Sequence, residues 1–187
     1  MMQVDKEGWL SEVERIASPN FDQRPEQSDI SLLVIHGISL PPSEFGGSYI
    51  TDLFCNTLDC DAHPYFDQLR DLKVSSHVLI QRGGHIIQYV SFNDRAWHAG
   101  VSRFDGRERC NDFSIGIELE GVDDQPYEDV QYEKLSEVTT AIMQAYPAIT
   151  SSRVAGHSDI APGRKTDPGS AFDWKRYKNL LPIASTK

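Results

Sequence analysis

Cysteine is scarce in this sequence, and positive charge is outnumbered by negative charge. The 187 residues include only three cysteines, Cys55, Cys60 and Cys110, which follow no spacing typical of a metal site or of a disulfide framework. A small, odd number of cysteines is typical of free thiols in a reducing compartment. We therefore expect a cytoplasmic protein, with a redox or metal pair formed by Cys55 and Cys60 as the alternative reading of these residues.

The chain also lacks the segments that direct a protein to a membrane. No stretch approaches the ~20 apolar residues needed to cross a bilayer, and the N-terminal residues lack the apolar core of a secretion signal. With 18 Lys and Arg against 28 Asp and Glu, the formal net charge is −10, whereas nucleic acids and anionic membranes favour a basic surface. We expect neither a membrane nor a nucleic acid as a partner.

Several segments have the apolar patterns of β-strands. SLLVIH (31–36) is a continuous apolar run, which is typical of a central strand covered on both faces. HVLIQ (77–81) and HIIQYV (85–90) are separated by RGG and predict a hairpin. FSIGIELE (113–120) alternates between apolar and polar or small residues, as a strand does. RVAGH (153–157) predicts a short strand.

Helical patterns occur between these strands. Apolar residues recur every three or four positions over roughly 128–146, and Pro147 ends this pattern. Shorter helices are expected from near Pro64 and over about 172–181, while the Pro-, Gly- and Ser-rich segment 37–51 predicts a long loop. Strands interspersed with helices predict an α/β fold, a single domain with a central mixed β-sheet flanked by helices.

Two histidines and one aspartate suggest a metal site. His36 and His157 each end a predicted strand, so both imidazoles point to one rim of the sheet if the two strands are neighbours. Asp167 lies in the loop GHSDIAPGRKTDPG (156–169), which is long enough to fold back on His157. Two imidazoles and one carboxylate leave the fourth position of a tetrahedral zinc site open for water, which is a catalytic pattern. The alternative for His36 is a strand-end histidine bonded to a backbone carbonyl.

The other four histidines suggest different roles. His63 precedes a proline at a predicted helix start and is expected to be a surface or capping residue. We expect His77, inside a strand, to be packed and hydrogen-bonded, and His85, in the hairpin, to be exposed. His98, in AWHAG (96–100), either lines a pocket or packs in an interface.

Three long motifs are SLLVIHGISLPPSEFGG, AWHAGVSRFDGRERCNDFSIGIELEG and GHSDIAPGRKTDPG. In this order they resemble the AmpD family of zinc-dependent N-acetylmuramoyl-L-alanine amidases, and the resemblance extends over roughly residues 8–180. It implies a fold like that of the amidases and peptidoglycan recognition proteins, with one domain over 1–187 and one Zn²⁺ per chain. Gly37 is a departure, since the family commonly has asparagine there, and a hydrogen bond to substrate would be lost with that side chain.

The resemblance assigns roles to individual residues. His36, His157 and Asp167 would be the zinc ligands. Glu118 would be the catalytic carboxylate, and Lys165 would be the cationic partner of the oxyanion. Several further residues would contact the substrate: Gly37, Lys73, Trp97, His98, Ala99 and Arg109.

The chemistry of three of these residues is compatible with the roles that the resemblance implies, although a tryptophan near a sheet edge is otherwise more often part of the core. Glu118 lies on the polar face of its strand, where Gly116 would leave room for substrate, whereas Glu120 better fits a glutamate that faces solvent. Trp97 would stack on the apolar face of a pyranose, and His98 would bond to a hydroxyl or carboxylate.

The resemblance implies hydrolysis of the amide between (1,6-anhydro)N-acetylmuramic acid and L-alanine in muropeptides. This reaction would serve cytoplasmic cell-wall recycling and would indirectly limit β-lactamase induction. We expect a monomer whose partner is a small muropeptide. Two alternatives are a muropeptide-binding sensor without turnover, which typically lacks a zinc ligand, and a wall-degrading amidase that acts on intact peptidoglycan, which requires secretion.

Overall fold

The computed structural model describes residues 2–25 and 30–181. The expected domain limits at residues 1 and 187 lie outside these ranges. Ten strands are described: β1 Glu14–Arg15, β2 Phe21–Gln23, β3 Leu32–Ile38, β4 Val78–Ile80, β5 Ile86–Gln88, β6 Asp94–Ala96, β7 Arg103–Phe104, β8 Arg107–Glu108, β9 Ser114–Glu120 and β10 Val154–Gly156. The α-helices described are α1 Tyr49–Phe54, α2 Asp129–Ala145, α3 His157–Ile160 and α4 Trp174–Leu180.

Six strands form one mixed sheet in the order β1-β5-β4-β9-β3-β10. β4 and β5 are antiparallel, and the other neighbouring pairs in this sheet are parallel. Two further two-stranded sheets pair β2 with β6 and β7 with β8. The expected α/β fold with a central mixed sheet is confirmed, as is the hairpin formed by β4 and β5.

Helices cover both faces of the sheet. Leu33 and Ile35 of β3 pack in one apolar cluster with residues of α2 and α4. Leu32 and Val34 point the other way and pack in a second cluster that includes Ile160 of α3. Since water reaches neither face of this strand, it has to be apolar along its length, which explains the run at 31–36.

The boundaries of several elements differ from those expected. β3 continues beyond His36 to Ile38, because it pairs with β9 along its whole length. β10 ends at Gly156, so His157 is the first residue of α3 instead of the last residue of a strand. The helix expected near Pro64 is a 3₁₀ helix, Pro64–Leu69.

The other two helix predictions are confirmed. The pattern over 128–146 corresponds to α2, and the segment 172–181 contains α4. Within residues 2–25 and 30–181, none of the helices combines the length and the apolar character needed to cross a membrane.

The loop expected over 37–51 covers only 39–48, between β3 and α1. Glu120 of β9, which was expected to face solvent, is only 2% exposed. Its carboxylate accepts hydrogen bonds from the backbone N–H groups of Gly46 in this loop and of Arg82 in the hairpin turn. The prediction for Glu120 was wrong because the loop folds over the end of β9, where the carboxylate satisfies two backbone donors.

Candidate active site

Three neighbouring strands bring the predicted site together. β3 and β9 pair in the register that places His36 opposite Glu118. Paired residues of adjacent strands leave the sheet on the same face. β10 lies on the other side of β3, with Gly156 opposite Ile35, so His157 follows directly beside His36. β3, which carries His36, and β10, which ends just before His157, are neighbours, as the metal-site argument requires.

The side chains of His36, His157 and Asp167 converge. The Nδ1 atoms of the two imidazoles are 2.9 Å apart. Oδ2 of Asp167 lies 3.2 Å from Nδ1 of His36 and 3.1 Å from Nδ1 of His157. Across the two described ranges, this is the only group of three or more His, Cys, Asp or Glu side chains close enough together to hold a metal ion.

The donor set fits zinc. Zn²⁺ binds imidazole nitrogens and carboxylate oxygens, and three protein ligands leave one position open. The opposite ring nitrogens face protein groups, since Nε2 of His157 is 3.2 Å from the Ala99 carbonyl oxygen and Nε2 of His36 is 2.9 Å from Nδ1 of His98. A proton on each Nε2 leaves both Nδ1 atoms unprotonated, as metal binding requires. Three acceptor atoms that face one another repel, and a cation between them would relieve this repulsion.

The protonation of these groups also suits a metal. Burial lowers the pKa of His36 to about 4, so this imidazole is neutral at physiological pH. Burial acts to raise the pKa of Asp167, but the adjacent imidazoles of His157 and His36 outweigh burial and hold that pKa below the ordinary value. A carboxylate and a neutral imidazole are the forms that bind a cation.

Glu118 is buried beside these three side chains. Its side chain places Oε1 3.9 Å from Nδ1 of His36, and Oε2 is buried without a hydrogen-bond partner among the described residues. Burial, together with the negative charge of Asp167, raises the pKa of Glu118 well above its ordinary value, whereas a divalent cation beside it would lower the pKa again. A buried carboxylate with a free oxygen suits a general base.

These groups open into a cavity of about 670 Å³. Lys165 lies on its lining, as do Asp123 and Asp124. The rest of the wall is largely apolar and includes Leu40, Leu53, Phe54, Tyr65, Leu69, Leu72 and Val74. A concave, mostly apolar pocket with a few polar groups at one place is typical of a site for a small ligand.

The residues expected to contact substrate fall into two groups, and three of them line this cavity. Gly37, Trp97 and His98 lie on its wall. The indole N–H of Trp97 donates to a carboxylate oxygen of Asp22 at 3.2 Å, which fixes the ring at the cavity wall.

The structure places the other three elsewhere. Ala99 is fully buried, and it is not part of the cavity lining. Lys73 is exposed outside the lining. Arg109 lines a separate cleft of about 480 Å³, together with Arg103 and Arg164, and forms an ion pair with Asp112 at 3.3 Å.

Gly116 was expected to leave room for substrate, but this prediction was wrong. A Cβ atom at this position would lie 2.6 Å from Cγ and Nδ1 of His98, because the imidazole of His98 rests on this part of β9. A glycine inside a strand often marks a close approach by another group. The glycine was therefore a usable signal, but the sequence did not indicate which group approaches.

Sequence reasoning missed Tyr127 altogether. A Cβ at Gly37 would collide with the Tyr127 hydroxyl, so the tyrosine fills the space beside this departure from the family pattern. The hydroxyl donates a hydrogen bond of 2.9 Å to the carbonyl of Pro168, the residue after Asp167. No local pattern relates these residues, because they lie in three distant segments.

Comparisons with known proteins show the family of this chain. Residues 26–170 match the model of a family described as N-acetylmuramoyl-L-alanine amidase. The 1,6-anhydro-N-acetylmuramyl-L-alanine amidase AmpD of Haemophilus influenzae is 59% identical over 172 residues, which are 92% of this chain and 94% of the relative.

Solved structures of relatives share the fold. A crystal structure of a selenomethionine AmpD derivative has a TM-score of 0.94 and 57% identity, covering 97% of this chain and 100% of that one. A complex of the Escherichia coli amidase AmiD with the substrate anhydro-N-acetylmuramic acid-L-Ala-D-γ-Glu-L-Lys has a TM-score of 0.60 and 32% identity, covering 95% of this chain and 65% of that one. The chain therefore belongs to the N-acetylmuramoyl-L-alanine amidase family, and within it to the AmpD proteins.

Proposed function

We propose that this protein is a zinc-dependent amidase of soluble muropeptides. It hydrolyses the amide between (1,6-anhydro)N-acetylmuramic acid and L-alanine. The observation that carries this proposal is the convergence of His36, His157 and Asp167 beside the buried carboxylate of Glu118, at one end of a cavity that fits a small ligand.

His36, His157 and Asp167 are the proposed zinc ligands. A zinc ion with three protein ligands lowers the pKa of a bound water to about 7 and stabilises negative charge on a carbonyl oxygen. The role of the three side chains would be to present two imidazole nitrogens and one carboxylate oxygen at a single point beside the cavity, where they would hold the ion.

Glu118 is the proposed general base and acid. Its carboxylate takes the proton of the attacking water and delivers it to the departing nitrogen of L-alanine, so that the amine leaves in neutral form. Burial favours the protonated form of Glu118, and a divalent cation held beside it would counteract this and favour the carboxylate that accepts the proton.

Lys165 is the proposed partner of the oxyanion. It lies on the lining of the same cavity, two residues before Asp167. Its positive charge favours the tetrahedral state, in which the carbonyl oxygen becomes negative, over the neutral amide.

The names of the relatives support the choice of substrate. The AmpD relatives are named for the 1,6-anhydro-N-acetylmuramyl-L-alanine linkage, and the AmiD complex contains an anhydromuramic acid that carries a peptide. In this chain we propose that Trp97 and Gly37 contact the sugar end. Lys73 and Arg109 lie outside the cavity lining, and we propose that they meet only the carboxylates of the stem peptide.

We also propose that the reaction belongs to the recycling of cell-wall fragments in the cytoplasm, by a monomeric enzyme. The three free cysteines support this location. Removal of anhydromuropeptides would then indirectly limit the induction of β-lactamase.

The test is metal removal and restoration with a defined anhydromuropeptide as substrate. The purified protein is depleted of metal with a chelator, supplied with one equivalent of zinc, and assayed by mass spectrometry of the products. We expect release of the peptide with a free L-alanine amine, loss of that product on depletion, and its return with zinc. Full hydrolysis by the depleted protein would refute the zinc-dependent mechanism.

A Glu118→Ala variant separates an enzyme from a binding protein. For an enzyme, turnover should fall by about 10²–10⁴-fold, while calorimetry still detects binding of the substrate. A protein that only senses muropeptides would bind them equally with and without Glu118 and would release no product in either form. Equal rates on intact sacculi and on soluble fragments would instead indicate a wall-degrading amidase.

A further inference from the structure

The segment His98–Ala99 contacts both imidazoles of the candidate metal site from behind. Nδ1 of His98 lies 2.9 Å from Nε2 of His36, and the carbonyl oxygen of Ala99 lies 3.2 Å from Nε2 of His157. Two consecutive residues thus offer one acceptor to each histidine on the nitrogen that points away from Asp167.

The direction of these hydrogen bonds follows from the geometry. Nδ1 of each ligand faces the metal position, so the proton of each neutral imidazole belongs on Nε2. His36 then donates to Nδ1 of His98. His98 in turn carries its own proton on Nε2, where Ser114 Oγ lies at 3.2 Å as the acceptor. Both ring nitrogens of His98 are engaged within the protein, which leaves neither for a sugar hydroxyl.

Two groups hold the segment in this position. Oδ1 of Asn111 accepts hydrogen bonds from two successive N–H groups, those of His98 at 3.2 Å and Ala99 at 2.8 Å. The Arg164 guanidinium donates to the carbonyl oxygen of Ala99 at 2.6 Å and to that of Val101. The Ala99 carbonyl therefore receives one hydrogen bond from the loop that carries Asp167 and one from His157.

The strand beneath is shaped for the same arrangement. Gly116 has no side chain, and the His98 ring occupies the space that a Cβ would take. The backbone N–H of Gly116 donates to Nδ1 of His77 at 3.0 Å, so the neighbouring buried histidine fixes the strand under the ring.

We infer that His98 and Asn111 are positioning residues that set both zinc-ligand imidazoles in the Nε2–H form. His98 does so directly for His36, and Asn111 does so by holding the backbone that presents the His98 ring and the Ala99 carbonyl. The inference rests on the proposed zinc site. It assigns the segment His98–Ala99 to the support of the ligands instead of to the binding of the sugar.

Matched variants test each contact. His98→Phe keeps a ring without an acceptor, whereas His98→Asn places an amide oxygen near the position of Nδ1. Asn111→Ala removes the acceptor of two N–H groups, and Asn111→Asp keeps it. Zinc affinity is measured by competition with a chromophoric chelator, and the tautomers of His36 and His157 are read from imidazole ¹⁵N shifts in the metal-free protein.

We expect His98→Phe and Asn111→Ala to bind zinc about 10–100-fold more weakly, which is the usual effect of losing a group that orients a metal ligand. Both should also show a mixture of tautomers, at His36 in the first variant and at both ligands in the second. His98→Asn and Asn111→Asp should recover most of the affinity and a single Nε2–H tautomer. A role in stability alone would lower the unfolding free energy in all four variants without changing the tautomers.

The outcomes separate this inference from the proposed function. If the unaltered protein binds no zinc, the proposed function fails. If it binds zinc and the Phe and Ala variants keep both its affinity and its tautomers, the zinc site stands and the positioning role is refuted.

Discussion

Alanine at position 116 should disturb the site through His98, although residue 116 touches no ligand of the candidate metal centre. The added Cβ would lie 2.6 Å from two atoms of the imidazole and 2.8 Å from a third, whereas carbon atoms pack at roughly 3.5–4.0 Å. The ring must therefore move by about 1 Å. The 2.9 Å contact between His98 and His36 then stretches beyond the ~3.2 Å limit of a good hydrogen bond.

The energies indicate a measurable loss of stability. Forcing a methyl group into a packed interior costs about 1–3 kcal/mol, and loss of the hydrogen bond between the two imidazoles costs about 0.5–1.5 kcal/mol. Replacing a strand glycine by alanine offsets about 0.5–1 kcal/mol. We expect Gly116→Ala to lower the free energy of unfolding by about 0.5–4 kcal/mol, with each kcal/mol lowering Tm by about 2–4 °C in a domain of this size.

Urea unfolding of the metal-free protein and chelator competition measure this prediction. Zinc affinity should fall by about 10–100-fold. Adding His98→Ala to Gly116→Ala removes the ring that the methyl group strikes, so a double-mutant cycle should give a coupling free energy of about 0.5–3 kcal/mol.

Gly83→Ala is the matched control. A Cβ at Gly83 would meet no atom within 4 Å, and its backbone lies outside the left-handed region. We expect a change within about 0.5 kcal/mol there. A coupling free energy of zero between positions 116 and 98, or a Gly116→Ala protein as stable and as tight for zinc as the original, would refute the reasoning.

Three further predictions concern other parts of the molecule. Lys165→Met should lower kcat by about 10²–10³-fold with little change in KM or zinc affinity, because an oxyanion partner acts mainly in the transition state; a change confined to KM would contradict that role. Burial, together with the charge of Arg24, lowers the pKa of His77 well below its ordinary 6.5, so below about pH 6.5 the unfolded chain binds the proton preferentially. The contribution of His77 to the free energy of unfolding is complete above pH 6.5 and falls by up to ~1.4 kcal/mol per pH unit of acidification. Urea unfolding at several pH values should show that the unfolding free energy of His77→Asn depends less steeply on pH, and an equal dependence in both proteins would exclude His77 as its source. Glu120→Gln leaves one backbone N–H without a good acceptor and should cost about 1–3 kcal/mol, with faster hydrogen exchange at the amides of Gly46 and Arg82; unchanged protection at both would contradict the tie between loop and hairpin.

Much of the fold could be predicted from the sequence, because the burial of a strand produces a local pattern of apolar residues. The run at 31–36 and the alternation at 113–120 correspond to β3 and β9, the two strands that place His36 opposite Glu118. The metal candidates could be selected because few residue types bind zinc and because both histidines lie near strand ends.

The support around the site could not be predicted in the same way. Glu120 was placed in solvent because alternation distinguishes two faces of a strand, but not whether a loop covers one of them. Gly116 was predicted to leave room for substrate for a similar reason. His98 reaches Gly116 from a loop whose path depends on contacts with Asn111 and Arg164. These contacts join distant parts of the chain, so no periodic pattern in the sequence indicates them.

The Gly116 position has a consequence for anyone who would transplant this site. A designer copying the metal centre onto another sheet would begin with two histidines, an aspartate and a glutamate. If the strand beneath the copied His98 carried any side chain at the position of Gly116, the imidazole could not pack against it. The copied His36 would then lose its contact with His98, and its ring would be free to rotate. A design of this site therefore has to require glycine at the position of residue 116 as strictly as it requires the candidate metal-binding residues.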